Sequence, residues 1–247
     1  MSEFNPGERA YVPVSRVDGL DSWDFALQQT EILEREANSV KVKLDDGTAS
    51  DWIGVSLLHK KVGVLIINIG DLSTEEYLMD PLAKSVGQFC KLLIPDDQFR
   101  QIRVRSLEEL KILWHKEQGI YSHVIWIGHG KSNGIHFAVD GWVGPEKIKR
   151  ALHVRGGTKK TYISLCCKNG YRDFGGELSR STMCKNFIGP FHSVDGATAS
   201  QFCQTFLTKH FLGGSTPKVS FREARNATPG NVSFRLWKGG GLESTTD

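Results

Sequence analysis

The sequence predicts an α/β protein whose mainly parallel sheet is flanked by helices and preceded by a small β-barrel. Three observations support this fold class. Residues 62–69 form a continuous apolar run, which is typical of a strand covered on both faces. Strand and helix patterns then alternate along the chain, as they do in parallel sheets. The first sixty residues instead contain short strand patterns separated by turn residues.

The barrel is expected to occupy residues 1–60. Its strand patterns lie at residues 9–14, 23–36, 39–44 and 48–55, the second being either one bent strand or a mixture. Asp45-Asp46-Gly47 supplies a tight turn between the last two. The run V-K-V-K-L-D-D-G-T-A-S-D-W-I resembles SH3-like barrels of the Tudor type. The resemblance implies a module that docks a partner protein or the substrate protein.

The larger domain is expected at residues 61–238, followed by a flexible tail at 239–247. Its predicted strands lie at residues 62–69, 101–104, 123–127, 160–165 and 186–191. Ser73 with Glu76 and Ser106 with Glu109 form capping-box patterns that begin helices. The first of these helices should reach about Leu93, with Pro81 kinking or dividing it, and Gly119 can terminate the second. A further helix is predicted at residues 196–212.

Composition excludes several classes of protein. The 247 residues carry a net charge of only +3, which is too weak to predict nucleic-acid binding. No apolar run approaches the roughly 20 residues of a membrane span, and the start of the chain, MSEFNPGERA, lacks an apolar signal-peptide core. The five cysteines show no C-x-x-C spacing. We therefore expect a reduced cytoplasmic protein without disulfides, metal, cofactor or membrane partner.

Two chemically reactive side chains follow predicted strands. His129 lies in Gly128-His129-Gly130 after the third strand, and the pair Cys166-Cys167 follows the fourth. Because the carboxyl ends of parallel strands meet at one edge of a sheet, a thiol and an imidazole are expected there together. An imidazole that accepts the proton of a thiol activates it as a nucleophile. The sequence therefore predicts a Cys–His dyad.

The motifs I-W-I-G-H-G-K-S-N-G-I-H-F and T-Y-I-S-L-C-C-K-N-G resemble those of the caspase-like cysteine peptidases, most closely the bacterial CHAT-type branch. The resemblance covers roughly residues 62–237. It implies a cysteine endopeptidase that cleaves a protein substrate in a regulated bacterial pathway, such as defence against phage. Two features depart from animal caspases. The Gln-Ala-Cys-x-Gly signature is missing, and 38 residues separate His129 from Cys167, compared with about 50.

Cys167 is the expected nucleophile, and Cys166 is the alternative. Neighbouring residues of a strand face opposite ways, so only one of the two thiols should face His129. Alignment on Gly170 favours Cys167, whereas alignment on I-S-L-C favours Cys166. With Cys167 as nucleophile, the oxyanion hole is expected to consist of the backbone N–H groups of Gly130 and Cys167.

The substrate residue that the peptidase prefers immediately before the cleaved bond is open. Asp71 and Asp173 could line a pocket for a basic residue, whereas Lys168 and Arg172 could recognise an acidic one. We favour Asp71 as pocket lining. The alternative function is a catalytically inactive caspase-like scaffold that binds a protein partner.

Overall fold

The computed structural model describes residues 4–21, 24–71, 73–228 and 233–243. The strands of this part of the chain are, in order, β1 Arg9–Pro13, β2 Leu27–Glu36, β3 Ser39–Val42, β4 Ile53–Gly54, β5 Gly63–Ile69, β6 Phe99–Val104, β7 Tyr121–Ile127, β8 Gly130–Lys131, β9 Gly134–Phe137, β10 Gly141–Val143, β11 Lys160–Ser164, β12 Cys184–Pro190, β13 Phe234–Lys238 and β14 Gly241–Leu242.

The helices of the same residues are α1 Asp80–Leu93, α2 Leu107–Glu117, α3 Pro145–Leu152, α4 Glu177–Ser179, α5 Gly196–Leu207 and α6 Pro217–Ala227. Wider π-helical turns adjoin three of them: Glu75–Met79 leads into α1, Arg172–Gly176 leads into α4, and Thr208–Leu212 extends α5.

The central sheet has seven strands in the order β14-β13-β12-β11-β7-β5-β6. The five strands from β12 to β6 run parallel, and β13 and β14 pair antiparallel at one edge. A small antiparallel sheet, β10-β9-β8, follows β7 directly. The expected α/β fold class, with a mainly parallel sheet flanked by helices, is therefore confirmed.

Helices cover both faces of the sheet, which explains why all seven residues of β5 are buried. Alternate residues of a strand point to opposite faces. Val64 and Ile66 belong to a core that includes side chains of α1 and α5. Leu65 and Ile67 belong to a second core that includes side chains of α2 and α3. The two cores hold the sheet rigidly, and its carboxyl edge can therefore fix the positions of the loops after each strand.

The N-terminal part forms a curled antiparallel sheet in the order β1-β2-β3-β4. Its own core includes Val12, Ile32 and Val40. Tyr11 and Leu27, however, belong to the core on the α1 side of the central sheet. The N-terminal sheet is therefore packed directly on the larger part of the protein.

Some predicted elements differ from the observed ones. The strand predicted at 48–55 is limited to β4, apart from a single bridge between Lys43 and Ala49. The strand predicted from residue 23 begins at Leu27, and Trp23 lies outside the described residues. The predicted tail contains a short ordered piece, since β14 pairs with β13, while residues 244–247 lie outside the described part.

The two capping boxes had different outcomes. The one at Ser106 and Glu109 is confirmed, because both of its hydrogen bonds are present. The helix runs to Glu117 with Gln118 as its C-cap, so Gly119 follows directly where the helix ends, as expected. The one at Ser73 was wrong. The backbone N–H and the hydroxyl of Ser73 both donate to Asp71 Oδ1, and the helix begins later with the wide turn Glu75–Met79. The helical stretch is divided beside Pro81, as expected: the wide turn ends at Met79 and α1 begins at Asp80, so Pro81 lies in the first turn of α1, where a proline is tolerated.

Candidate active site

Three neighbouring strands of the sheet end at the same edge. β7 pairs in parallel with β5 on one side and with β11 on the other. Asp71 lies in the segment after β5, His129 in the segment after β7, and Cys167 in the segment after β11. The order of strands along the chain reverses between β5 and β7, which is the usual place for ligands in open α/β sheets. The three candidate residues therefore lie at the edge where chemistry is expected.

The imidazole of His129 is held by the loop after β5. Its Nε2 lies 2.7 Å from Thr74 Oγ1 and 3.9 Å from Asp71 Oδ2, and its side chain is 34% exposed. In the tautomer in which Nε2–H donates to Thr74 Oγ1, Nδ1 is the ring nitrogen free to accept a proton. Thr74 was not predicted, since nothing in the sequence distinguishes it from other threonines until the fold brings this loop against the end of β7.

Asp71 lies between two histidines. Its Oδ2 is 3.9 Å from Nε2 of His129 and 3.7 Å from Nδ1 of His136. Hydrogen bonds from the backbone N–H and the hydroxyl of Ser73 lower the pKa of Asp71, and the two histidines add to this effect. Asp71 is thus a carboxylate at neutral pH that can stabilise positive charge on His129. It does not belong to the lining of the neighbouring cavity, although it was predicted to line a substrate pocket.

The two adjacent cysteines have different surroundings. Cys166 is fully buried in the core that contains Trp126, and burial raises the pKa of its thiol to about 12. Cys167 is partly exposed and lines the same cavity as His129. A thiol must reach the thiolate state and the substrate to act as a nucleophile. The structure therefore favours Cys167 over Cys166 as the reactive cysteine.

The Cys167 thiol lies against the loop before α5. Val194 N lies 3.5 Å from Cys167 Sγ, and the thiol lies 3.7 Å from Val194 O. The backbone just after Cys167 turns sharply, since Lys168 has a φ of 59°, a value that is uncommon for residues other than glycine. Lys168 N donates to His192 O, which ties this turn to the loop after β12. Strained backbone of this kind is concentrated at functional sites.

The two expected oxyanion donors have suitable surroundings. Among the described residues, the backbone N–H of Cys167 has no hydrogen-bond acceptor. His136 N donates to His129 O, so these two residues form a hydrogen-bonded pair of the antiparallel ladder. Hydrogen-bonded and non-hydrogen-bonded pairs alternate in such a ladder. The next pair, Gly130 with Ile135, is therefore non-hydrogen-bonded, and the N–H of Gly130 points away from β9. A Cβ at Gly130 would collide with the carbonyl oxygen of Cys167. Only glycine allows this close approach.

Asn169 connects the cysteine loop to the histidine loop. It is fully buried, and its amide nitrogen donates to Lys131 O at 3.0 Å and to Gly134 O at 3.2 Å. Its amide oxygen accepts a hydrogen bond from the Ser164 hydroxyl at 2.9 Å. Asn169 therefore fixes the small sheet that begins beside His129 to the end of β11. No motif in the sequence predicted this role.

A small, mainly apolar cavity opens beside the dyad. His129 and Cys167 form part of its wall, and the remaining side chains that line it come from the segment 78–82, the ends of β7 and β11, and the start of α5. The other predicted pocket residue, Asp173, is exposed on the turn Arg172–Gly176, and neither Lys168 nor Arg172 lines the cavity. The structure thus brings Asp71, His129 and Cys167 to one edge and places Asp173 elsewhere.

Within the described residues, no group of three or more His, Cys, Asp and Glu side chains is arranged to hold a metal ion. In the same part of the chain, every helix is too short or too polar to cross a membrane. No protein-family model matches this chain, and a search of curated proteins found no match.

Proposed function

We propose that the protein is a cysteine endopeptidase of the caspase-like type. Cys167 is the nucleophile and His129 is the general base. The observation that carries the proposal is that these two side chains line one cavity at the carboxyl ends of adjacent parallel strands. The motifs around His129 and Cys167 resemble those of caspase-like peptidases, and the parallel sheet supports that resemblance.

The first half of the reaction acylates the enzyme. Nδ1 of His129 takes the proton of the Cys167 thiol, and the sulfur attacks the carbonyl carbon of the scissile peptide bond. The carbonyl oxygen becomes an oxyanion that accepts hydrogen bonds from the N–H groups of Gly130 and Cys167. The tetrahedral intermediate then collapses, the C–N bond breaks, and the imidazolium of His129 gives its proton to the leaving amine. A thioester remains on Cys167.

The second half removes the acyl group. A water molecule gives a proton to His129 and attacks the thioester carbonyl. The C–S bond breaks and releases the new carboxyl terminus, and the imidazolium of His129 returns its proton to the sulfur, which restores the thiol of Cys167. The imidazolium is formed in both halves. Asp71 stabilises it by its negative charge at 3.9 Å, and Thr74 accepts the Nε2–H hydrogen bond that fixes the ring.

We further propose that the curled N-terminal sheet is an SH3-like module that docks a partner protein, while the larger part carries out the cleavage. All five cysteines are free thiols, which supports action in a reducing compartment such as the cytoplasm.

The test is covalent labelling followed by intact-mass measurement. A panel of peptide electrophiles that differ in the residue next to the reactive carbonyl is reacted with the wild-type protein and with Cys167→Ala, Cys166→Ala and His129→Ala. We expect one adduct in the wild type. It should vanish in Cys167→Ala, persist in Cys166→Ala, and form at least tenfold more slowly in His129→Ala.

The scaffold alternative makes a different prediction, because a protein that only binds a partner needs no activated thiolate. If the electrophiles label Cys167 equally fast with and without His129, the dyad is excluded and the scaffold function is favoured.

A further inference from the structure

The cavity beside the dyad is walled by apolar side chains. Apart from His129 and Cys167, the wall includes Met79, Leu82, Ile127, Leu165, Val194 and Ala199. Several of these side chains are almost fully buried, for example Ile127 at 1% exposure and Ala199 at 1%. Leu78 also contributes to the lining and is 40% exposed, so the cavity reaches the surface beside it.

No charged side chain of the described residues lines this cavity, unless His129 is protonated. A basic or acidic substrate side chain that entered it would lose its hydration without gaining an ion pair, and burial of an unpaired charge is strongly unfavourable. The carboxylate of Asp71 is directed at two histidines rather than into the cavity. A side chain that fits this cavity is therefore uncharged and apolar.

The size of the cavity restricts the occupant further. It holds about 50 Å³. An engineered apolar cavity of about 150 Å³ binds one benzene molecule. An aromatic ring therefore does not fit, whereas a methyl or isopropyl group does.

The position of the cavity identifies which substrate residue enters it. Cys167 Sγ lies 3.5 Å from Val194 N, so the thiol lies against a residue of the cavity wall. The carbonyl carbon that this sulfur attacks must lie beside the cavity. The side chain closest to that carbon is the one on the same residue.

We propose that this cavity is the specificity pocket and that the enzyme cleaves after a small aliphatic residue, alanine or valine. This inference rests on the proposed peptidase function. It replaces the charged residues of the sequence analysis with an apolar wall as the determinant of specificity.

The experiment compares tripeptide chloromethyl ketones that are identical except for Ala, Val, Phe, Asp or Arg at the reactive carbonyl. The second-order rate of Cys167 labelling is measured by intact mass. We expect the Ala and Val reagents to react at least tenfold faster than the other three, because a pocket discriminates by such factors when groups are too large or unpaired. Faster labelling by the Asp, Arg or Phe reagent, or equal rates for all five, would overturn the pocket assignment.

Two pocket variants and one control sharpen this test. Gly196 lies at the wall, and a Cβ there would come within 4.0 Å of the Leu82 Cβ, so Gly196→Val fills the cavity without a collision at Cβ. It should slow the Ala and Val reagents at least fivefold. Leu78→Ala widens the mouth and should raise the relative rate of a Leu reagent. Ala197→Val, on the exposed side of the same helix turn, should leave all rates unchanged.

Iodoacetamide separates failure of this inference from failure of the proposed function, because it carries no residue for the pocket. If iodoacetamide labels Cys167 in a His129-dependent way while the peptides show no Ala or Val preference, the dyad stands and the pocket is rejected. If iodoacetamide labels Cys167 at the same rate in His129→Ala as in the wild type, the peptidase function fails as well.

Discussion

At the scale of single residues, the hydrogen bond between Thr74 and His129 orients the imidazole of the proposed general base. Thr74→Val keeps the shape of the side chain and removes the oxygen that lies 2.7 Å from Nε2. One hydrogen bond contributes about 1 kcal/mol, so we expect roughly fivefold slower alkylation of Cys167 by iodoacetamide at pH 7. The measurement is the rate of alkylation as a function of pH. Thr74→Ser should restore the wild-type profile, and an unchanged profile in Thr74→Val would exclude this positioning role.

Some residues of the candidate site could be predicted from the sequence, and others could not. His129 and Cys167 could be found because each directly follows an apolar strand, and the carboxyl ends of parallel strands share an edge. Thr74 and Asn169 could not, since their roles consist of hydrogen bonds to residues far away in the sequence. Such contacts depend on the separation and tilt of strands, which the pattern of apolar residues does not specify.

At the scale of elements, an ion-pair group anchors the wide turn that follows Thr74. Glu75 is 8% exposed, and its carboxylate lies 3.1 Å from Arg105 Nη2 and 3.4 Å from Arg103 Nη1. Arg103 also pairs with Asp80 in α1. This group joins the loop after β5 to the end of β6, and it therefore holds the residues that orient His129.

Removal of the Glu75 charge should therefore weaken both the fold and the site. For Glu75→Gln we expect the free energy of unfolding to fall by about 1–2 kcal/mol, because two partly exposed arginines lose their buried partner. Urea denaturation measures this change, and the rate of Cys167 alkylation should fall in parallel. Glu76→Gln is the matched control, since Glu76 is exposed on the same turn. If the two variants behave alike, the ion-pair group has no anchoring role.

The same segment explains why one helix start was predicted well and another poorly. Ser106 has Glu109 as its reciprocal partner and forms the expected capping box. Ser73 has Glu76 at the same spacing, but Asp71, two residues earlier, accepts both the N–H and the hydroxyl of Ser73. An aspartate that closes its own local turn competes with the helix cap, and the spacing alone does not decide between them.

At the scale of the whole molecule, the N-terminal sheet has a core of its own and also contributes side chains to the core on the α1 side of the central sheet. Residues 1–60 were predicted to be a separate module, because the composition and the turn pattern change near residue 60. Tyr11 and Leu27 nevertheless pack into the core on the α1 side, and Ala26 N donates to Leu92 O. An apolar residue on a short strand gives the same sequence pattern whether its side chain faces its own core or a neighbouring one. The packing of the two parts could therefore not be predicted.

The junction of the two parts contains three largely buried histidines. His59 follows the N-terminal sheet, His123 lies on β7, and His210 lies in the wide turn after α5. The ring of His210 lies 5.5 Å from that of His59 and 5.2 Å from that of His123. Burial lowers the pKa of all three, and for His59 it lowers the pKa to about 4. The junction therefore packs these rings in the neutral form.

The free energy of unfolding should consequently fall as the pH drops below about 6.5. Below that pH the unfolded chain binds protons on these histidines, whereas the folded chain does not until its own lower pKa is reached. For His59 this loss takes place between about pH 6.5, the pKa of the unfolded chain, and about pH 4, the pKa in the fold. At 1.36 kcal/mol per pKa unit, the free energy of unfolding lost over this range is roughly 3 kcal/mol.

Urea denaturation between pH 7.5 and 4 measures how steeply the free energy of unfolding depends on pH. Carboxylates also titrate near the acid end of this range, so the comparison between variants isolates the histidine. His59→Gln retains a donor for the carbonyl of Phe211, 3.1 Å from His59 Nε2, and should show a shallower slope, while the exposed His115→Gln should match the wild type. Equal slopes in all three proteins would mean that His59 is protonated in the fold and that the junction does not exclude the charge.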